Sequence, residues 1–160
     1  MPGLIKSILG VPLSSRDNTA RYVRSKLLKS KEVLDRLAKF EDTQVAFHLL
    51  KSSFSIVKAT HFMRTTPVNE WMEEAKEFDR TVRGTAERIL GFPFHPKAYD
   101  QACLTTSMGG LGLRRCEEHA LGAYAASFCA AKGYLDENQS HHSTNVCILW
   151  RSTRRSLGSL

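Results

Sequence analysis

Hydrophobic residues recur every three or four positions along most of this 160-residue chain, which is the spacing of one buried face on an α-helix. The first stripe falls in residues 17–39 and consists of Ala20, Val23, Leu27, Leu34, Leu37 and Ala38. A second helix is predicted over residues 43–64, where a serine cluster is expected to bend or divide it: Ser52, Ser53 and Ser55. The predicted inner face of this second helix is Phe47, Leu50, Phe54, Val57 and His61, with His61 as a packing residue.

A third helix has the clearest start and stop in the sequence. Thr66 is predicted to cap it and Pro67 to occupy its first position. Its apolar stripe ends at Gly91 and consists of Trp71, Ala75, Phe78, Val82 and Ile89. After the prolines of "FPFHP", a short helix is expected over residues 98–104. An alanine-rich helix over residues 115–132 has a narrow apolar face of Ala120, Tyr124, Ser127, Phe128 and Ala131.

The ends of the chain have different patterns. Residues 4–13 are rich in Ile, Leu and Val and predict one strand or a small hairpin. The last residues are polar and rich in serine and histidine, which is typical of a flexible tail. We therefore predict a mainly α fold, a helical bundle preceded by a short β-strand or hairpin, with a strand or hairpin segment at 1–15, the bundle at 16–135 and the tail at 136–160.

Charge adds a candidate binding surface. The chain has 23 Lys and Arg against 16 Asp and Glu, a net charge of +7 that favours an anionic partner such as nucleic acid. On the first helix, one polar side opposite the apolar stripe carries Arg21, Ser25, Lys29, Arg36 and Lys39. We call these five residues the basic face. They are either an ordinary solvated surface or a row of donors along a phosphate backbone.

Several other classes of site do not fit the spacing. The stretch "SMGGLGLRR" lacks the Gly-Lys-Ser/Thr of a phosphate loop and the third glycine of a dinucleotide fingerprint. The four cysteines form no C-x-x-C pair, and no two matching half-sites for zinc emerge from Cys116, His119, His141, His142 and Cys147. We expect no cofactor and no metal. No stretch has the length of a membrane span, so we expect a soluble, intracellular protein, nuclear or cytoplasmic.

Five spaced segments in one order carry a resemblance to a known family. They are "ILGVPLSS", "HFMRTTP", "FDRTVR", "YDQACL" and "GGLGLRR" leading into "HALGAYAAS". The ordered set covers residues 8–127 and resembles the region just after the palm of non-LTR retrotransposon reverse transcriptases. The resemblance implies that the strand near Ile8 is similar to the end of the primer-grip hairpin and that the following helices are similar to the thumb.

The resemblance also implies roles for single residues. A thumb helix that lies along the duplex would place the basic face on phosphates, through Arg21, Lys29 and Arg36. The recurrent arginines of the family match Arg64 and Arg114, which we expect to be structural, capping carbonyls or pairing with a carboxylate such as Asp79. The glycines are expected to form a sharp connection, with Leu111 and Leu113 in the core, at Gly109, Gly110 and Gly112.

The chain also departs from the family. Such polymerases hold two magnesium ions on an aromatic-x-Asp-Asp turn and a further aspartate. This sequence has no Asp-Asp pair, so we expect it not to be an enzyme, and Thr105 stands where the family has proline. The expected partner is an RNA/DNA or RNA duplex bound through phosphates, and an exposed apolar face is expected to favour self-association. The alternative is a helical protein–protein interaction module with no nucleic-acid role.

Overall fold

A computed structural model describes residues 7–12 and 15–138, the side chains of 135–138 excepted. Two short strands form an antiparallel hairpin, β1 (Ser7–Ile8) and β2 (Val11–Pro12). The α-helices that come after it are α1 (Arg16–Leu37), α2 (Thr43–Leu49), α3 (Ile56–Thr65), α4 (Met72–Leu90), α5 (Pro96–Cys103) and α6 (Cys116–Asn138). The predicted class, a mainly α bundle behind a short hairpin, is confirmed. The parts of the predicted strand and tail at residues 4–6, 13 and 139–160 lie outside the described residues.

The chain divides into two compact units, residues 1–127 and 128–160, and the division falls within α6. In the described part of the chain, the buried core lies in the first unit. The predicted boundary at 135/136 also falls within α6, and the predicted domain limits stay predictions.

The two longest helices of the first unit, α1 and α4, are parallel. Arg24 of α1 pairs with Glu77 of α4 at 3.2 Å, and Arg88 of α4 pairs with Asp35 of α1 at 2.8 Å. Because both partners advance by eleven residues, the helices keep one register over about three turns. The expected stripes of both helices are largely confirmed, since the buried set includes Val23, Leu27, Leu34, Leu37, Trp71, Ala75, Phe78, Val82 and Ile89.

The serine cluster divides the second predicted helix, as expected. A π-helical turn at Leu50–Phe54 comes after α2, and the helix breaks at Ser55 before α3 begins. The predicted inner face is wrong beyond this turn, because a π turn adds a residue and rotates the helix that succeeds it. Val57 and His61 are exposed, and the buried positions of α3 are Ala59, Phe62 and Met63. His61 instead lies against the hairpin turn at Gly10 and makes an edge contact with Phe62.

The start of α4 also differs from the prediction. Pro67 precedes a 3-10 turn at Val68–Glu70, and the α-helix begins only at Met72. The hydroxyl of Thr66 is buried without a hydrogen-bond partner in the described residues, so it does not cap the helix. Trp71 has a non-helical backbone here, with φ of −144°, and its fully buried indole donates to the carbonyl of Thr66. The predicted stop at Gly91 is confirmed, with φ of 78°.

The glycine-rich connection between α5 and α6 is a tight turn. Gly109 and Gly112 have φ of 78° and 77°, a conformation that favours glycine. A Cβ atom on Gly110 would lie 2.1 Å from the carbonyl oxygen of Leu104, so this position needs glycine because of close backbone approach. Leu113 is buried as expected, whereas Leu111 is 39% exposed. The prediction for Leu111 is wrong because the turn leaves one of its two leucines on the surface.

Candidate nucleic-acid interface

All five residues of the basic face are exposed in the structure. Arg21, Ser25, Lys29 and Arg36 lie on α1, and Lys39 lies in the turn just after it. At 100° per residue the four positions on α1 share an arc of about 80°, on the opposite side from the buried stripe. From Arg21 to Arg36 the helix rises about 22 Å, because each residue advances about 1.5 Å. In B-form DNA each strand advances about 3.4 Å per phosphate, so this length matches about six phosphates of a DNA strand in that form.

The four cations of the basic face have no acidic partner among the described residues. By contrast, Arg24 on the side toward α4 is paired with Glu77. Arg24 therefore links α1 to α4. The four cations of the basic face have no ion pair with any described residue: Arg21, Lys29, Arg36 and Lys39. Ser25 differs, since its hydroxyl donates to the carbonyl of Tyr22 at 2.7 Å and is not a free donor.

Two further exposed residues of α1 lie on or next to this arc and were not predicted from the sequence. Glu32 lies within it and is exposed, and Leu28 lies at its edge and is 44% exposed. With Glu32 included, the face carries four positive charges and one negative charge. Both residues could have been assigned to this surface from the sequence. Helical spacing places every residue of the arc on the surface, acidic and apolar residues included.

A second cluster surrounds Asp79, which is 8% exposed. Its carboxylate accepts hydrogen bonds from the backbone amides of Cys116 at 2.9 Å and Glu117 at 3.1 Å. Burial raises the pKa of Asp79 from its ordinary value, although these amide hydrogen bonds act in the opposite direction. Asp79 therefore caps the first turn of α6 from α4, 37 positions earlier in the chain.

Next to Asp79, two guanidinium groups stack on one tyrosine ring. The Cζ atoms of Arg83 and Arg115 lie 4.8 Å and 4.9 Å from the centre of Tyr99. These residues line a cleft of about 340 Å³ between α4, α5 and the start of α6. Both arginines are engaged by carboxylates, Arg83 by Glu87 and Arg115 by Asp100 and Glu118. We therefore interpret this cluster as structural.

The expected partners of the family-matched arginines are not those in the structure. Arg64 and Arg114 are exposed, and neither makes a side-chain hydrogen bond or ion pair with another described residue. Asp79 has no arginine partner among the described residues because its oxygens are occupied by backbone amides. The neighbouring Arg115, and not Arg114, makes structural contacts, with Asp100, Glu118 and the ring of Tyr99. The ion pair of Arg115 with Glu118 could have been predicted from the sequence, because the two residues are three positions apart on a predicted helix. The contact of Arg115 with Tyr99 could not, because it joins two separate predicted helices.

The described part of the chain has neither a metal-binding cluster nor a membrane-spanning helix. Within residues 7–12 and 15–138, no group of three or more His, Cys, Asp or Glu side chains could hold a metal ion. The candidates His141, His142 and Cys147 lie outside the described residues. Cys103, Cys116 and Cys129 are free thiols. In the same ranges, no helix has both the length and the apolar character needed to cross a membrane.

Comparisons with protein-family models, with curated proteins and with solved structures find no match to this chain. The resemblance to reverse transcriptases therefore stays a prediction.

Proposed function

We propose that this chain is a non-catalytic, thumb-like domain of a retroelement reverse transcriptase and that it binds the backbone of template-primer nucleic acid. The observation that carries the proposal is the row of three cations on the outer side of α1 with Lys39 just after the helix, none of them paired with a carboxylate of the described residues. The order of sequence segments that resemble non-LTR reverse transcriptases supports the same assignment.

The chemistry of the row suits phosphates. A cation already held by a carboxylate loses part of its attraction for a second anion, whereas an unpaired one can displace counterions from nucleic acid. Contacts of this kind position a strand without reading its sequence. We therefore expect binding that depends strongly on salt and little on sequence.

The shape of the row favours a duplex over a single strand. Three of the cations, Arg21, Lys29 and Arg36, are spaced along about 22 Å of one helix, which suits a stiff and regular array of phosphates. Proteins that bind single strands commonly add aromatic side chains on which bases stack. Within the arc of the basic face, the exposed residues include no aromatic side chain.

The test is a charge-matched comparison of two triple variants. Arg21→Ala, Lys29→Ala and Arg36→Ala together should weaken binding of an RNA/DNA hybrid about tenfold or more, because three phosphate contacts are lost. The control removes three cations from other exposed positions, through Arg64→Ala, Lys97→Ala and Arg114→Ala. Fluorescence anisotropy at one salt concentration measures both. Equal losses in the two variants would reject the basic face as the binding surface.

A protein partner is the second candidate function, and one feature of the surface favours it. Three exposed apolar side chains lie in the segment around the glycine turn: Leu104, Met108 and Leu111. Co-purification with and without nuclease treatment separates the two functions. Partners retained after nuclease would favour the protein–protein interaction module, and partners released by nuclease would favour nucleic acid.

A further inference from the structure

Two phenylalanines are half exposed at one end of the parallel helix pair. Phe40 is 52% exposed just after α1, and Phe92 is 51% exposed just after α4. The ion pairs between α1 and α4 show that each residue of α1 lies beside the residue of α4 that is 53 positions later, as Asp35 lies beside Arg88. Both helices continue for only a few residues beyond this pair, so both phenylalanines lie at the same end of the pair. We call Phe40 and Phe92 the aromatic end.

The ring of Phe92 sits on a segment that the structure holds in place. The adjacent turn has Gly91 in the left-handed conformation and is followed by Pro93, which restricts the backbone. Phe94 is buried, and the centres of its ring and the Phe92 ring lie 5.5 Å apart in an edge contact. Its backbone amide donates a hydrogen bond to Oε1 of Glu87 at 3.0 Å. A half-exposed apolar ring on a segment with a restricted backbone offers contact area to a partner at a reduced cost in conformational entropy.

The charges around the aromatic end indicate what kind of partner fits. Arg36 and Lys39 of the basic face are the nearest cations in the chain to Phe40, and neither is in an ion pair with a described residue. Arg88 is engaged by Asp35, and Glu41, which is adjacent to Phe40, has no ion pair with a described residue. Beside Phe92 lies a shallow, open depression lined by Gly84, Glu87, Arg88, Gly91, Phe92 and Pro93. An aromatic surface next to unpaired cations suits nucleotides, which combine flat bases with phosphates.

We propose that the aromatic end stacks on unpaired bases that continue from a duplex bound along the basic face. The inference rests on the proposed function, because the basic face supplies the direction from which the strand arrives. Stacking on an aromatic ring tolerates every base, so it would add affinity without adding sequence preference.

The experiment compares three labelled RNA/DNA hybrids with the same paired region. The first is blunt, the second carries four unpaired nucleotides on one strand, and the third carries four abasic nucleotides at the same place, with each overhang prepared in both polarities. In at least one polarity, the unpaired bases should tighten binding by about tenfold over the blunt hybrid. The abasic overhang should give only a small gain, since it supplies phosphates without bases.

Variants then locate the gain. Phe92→Leu, and Phe92→Leu combined with Phe40→Leu, should remove most of the gain from the unpaired bases while leaving affinity for the blunt hybrid unchanged. Phe92→Trp should keep the gain in affinity from the unpaired bases, because tryptophan also offers an aromatic face. No gain in either polarity, an equal gain from the abasic overhang, or a gain that persists in the double leucine variant would overturn the inference.

The two proposals fail in different ways. If the blunt hybrid does not bind but the overhang binds in a manner that requires Phe92, the duplex function is rejected and stacking is supported. If the blunt hybrid binds through the basic face and the overhang adds nothing, the duplex function is supported and the aromatic end is rejected.

Discussion

Replacing Asp79 with alanine should destabilise the fold far more than the loss of an exposed carboxylate. The carboxylate of Asp79 accepts two hydrogen bonds from the amides of Cys116 and Glu117 and is 8% exposed. A hydrogen bond to a charged group contributes about 1.5–3 kcal/mol, so two contribute about 3–6 kcal/mol. Because burial disfavours the charged carboxylate and Glu117 is only partly buried, we expect the lower part of this range, a loss of about 3–4 kcal/mol. That is a large share of the stability of a typical domain.

The assay is urea unfolding of the full chain, followed by circular dichroism, with the slope of the transition checked for two-state behaviour. The matched control is Asp100→Ala, which removes an exposed carboxylate from Arg115 and leaves that arginine paired with Glu118. The control should cost about 1 kcal/mol or less, because exposed ion pairs contribute little. A loss for Asp79→Ala no larger than that of the control would refute the assignment of Asp79 as the cap of α6.

Two further predictions concern the glycine turn and the segment that holds Phe92. Gly110→Ala should lower the free energy of unfolding by about 2–3 kcal/mol, because its Cβ would overlap the Leu104 carbonyl. Gly122→Ala should raise it by about 0.5–1 kcal/mol, because this glycine lies inside α6 and a Cβ there meets no other atom. Urea unfolding measures both changes. Burial would raise the pKa of Glu87, but hydrogen bonds from Arg83 and Phe94 and the charge of Arg83 outweigh it and lower the pKa. The stability advantage of wild type over Glu87→Gln should therefore be present above about pH 4.3 and disappear as the pH falls further; an equal advantage at pH 3 and pH 7 would contradict this.

Hydrophobic spacing predicted the regular helices of this fold well. The stripes of α1 and α4 and the stop at Gly91 arise from local rules, because each depends on residues within a few turns of one another. Past the serine cluster the spacing gave the wrong inner face, since a single π turn rotates α3 and periodicity alone does not show where the extra residue enters.

The site was only partly predictable, and the reason differs between its two clusters. The basic face follows from helical geometry and charge, so its exposure could be anticipated from sequence. Asp79 could not be assigned to α6, because its partners are backbone amides 37 and 38 positions away and no side-chain pattern records such a contact. The parallel register of α1 and α4, which places Phe40 and Phe92 at the same end of the helix pair, likewise appears only in the tertiary structure.

The central claim is that α1 binds a nucleic-acid backbone, and the salt dependence of binding tests it most directly. Affinity for a labelled RNA/DNA hybrid is measured over a range of salt concentrations, with single-stranded RNA and an acidic protein as controls. The proposal predicts preference for the hybrid, a log-log slope that corresponds to about three to five released counterions, and a slope smaller by about three when Arg21, Lys29 and Arg36 are replaced by alanine. Equal weak binding to every polyanion, with a slope unchanged in the triple variant, would contradict it.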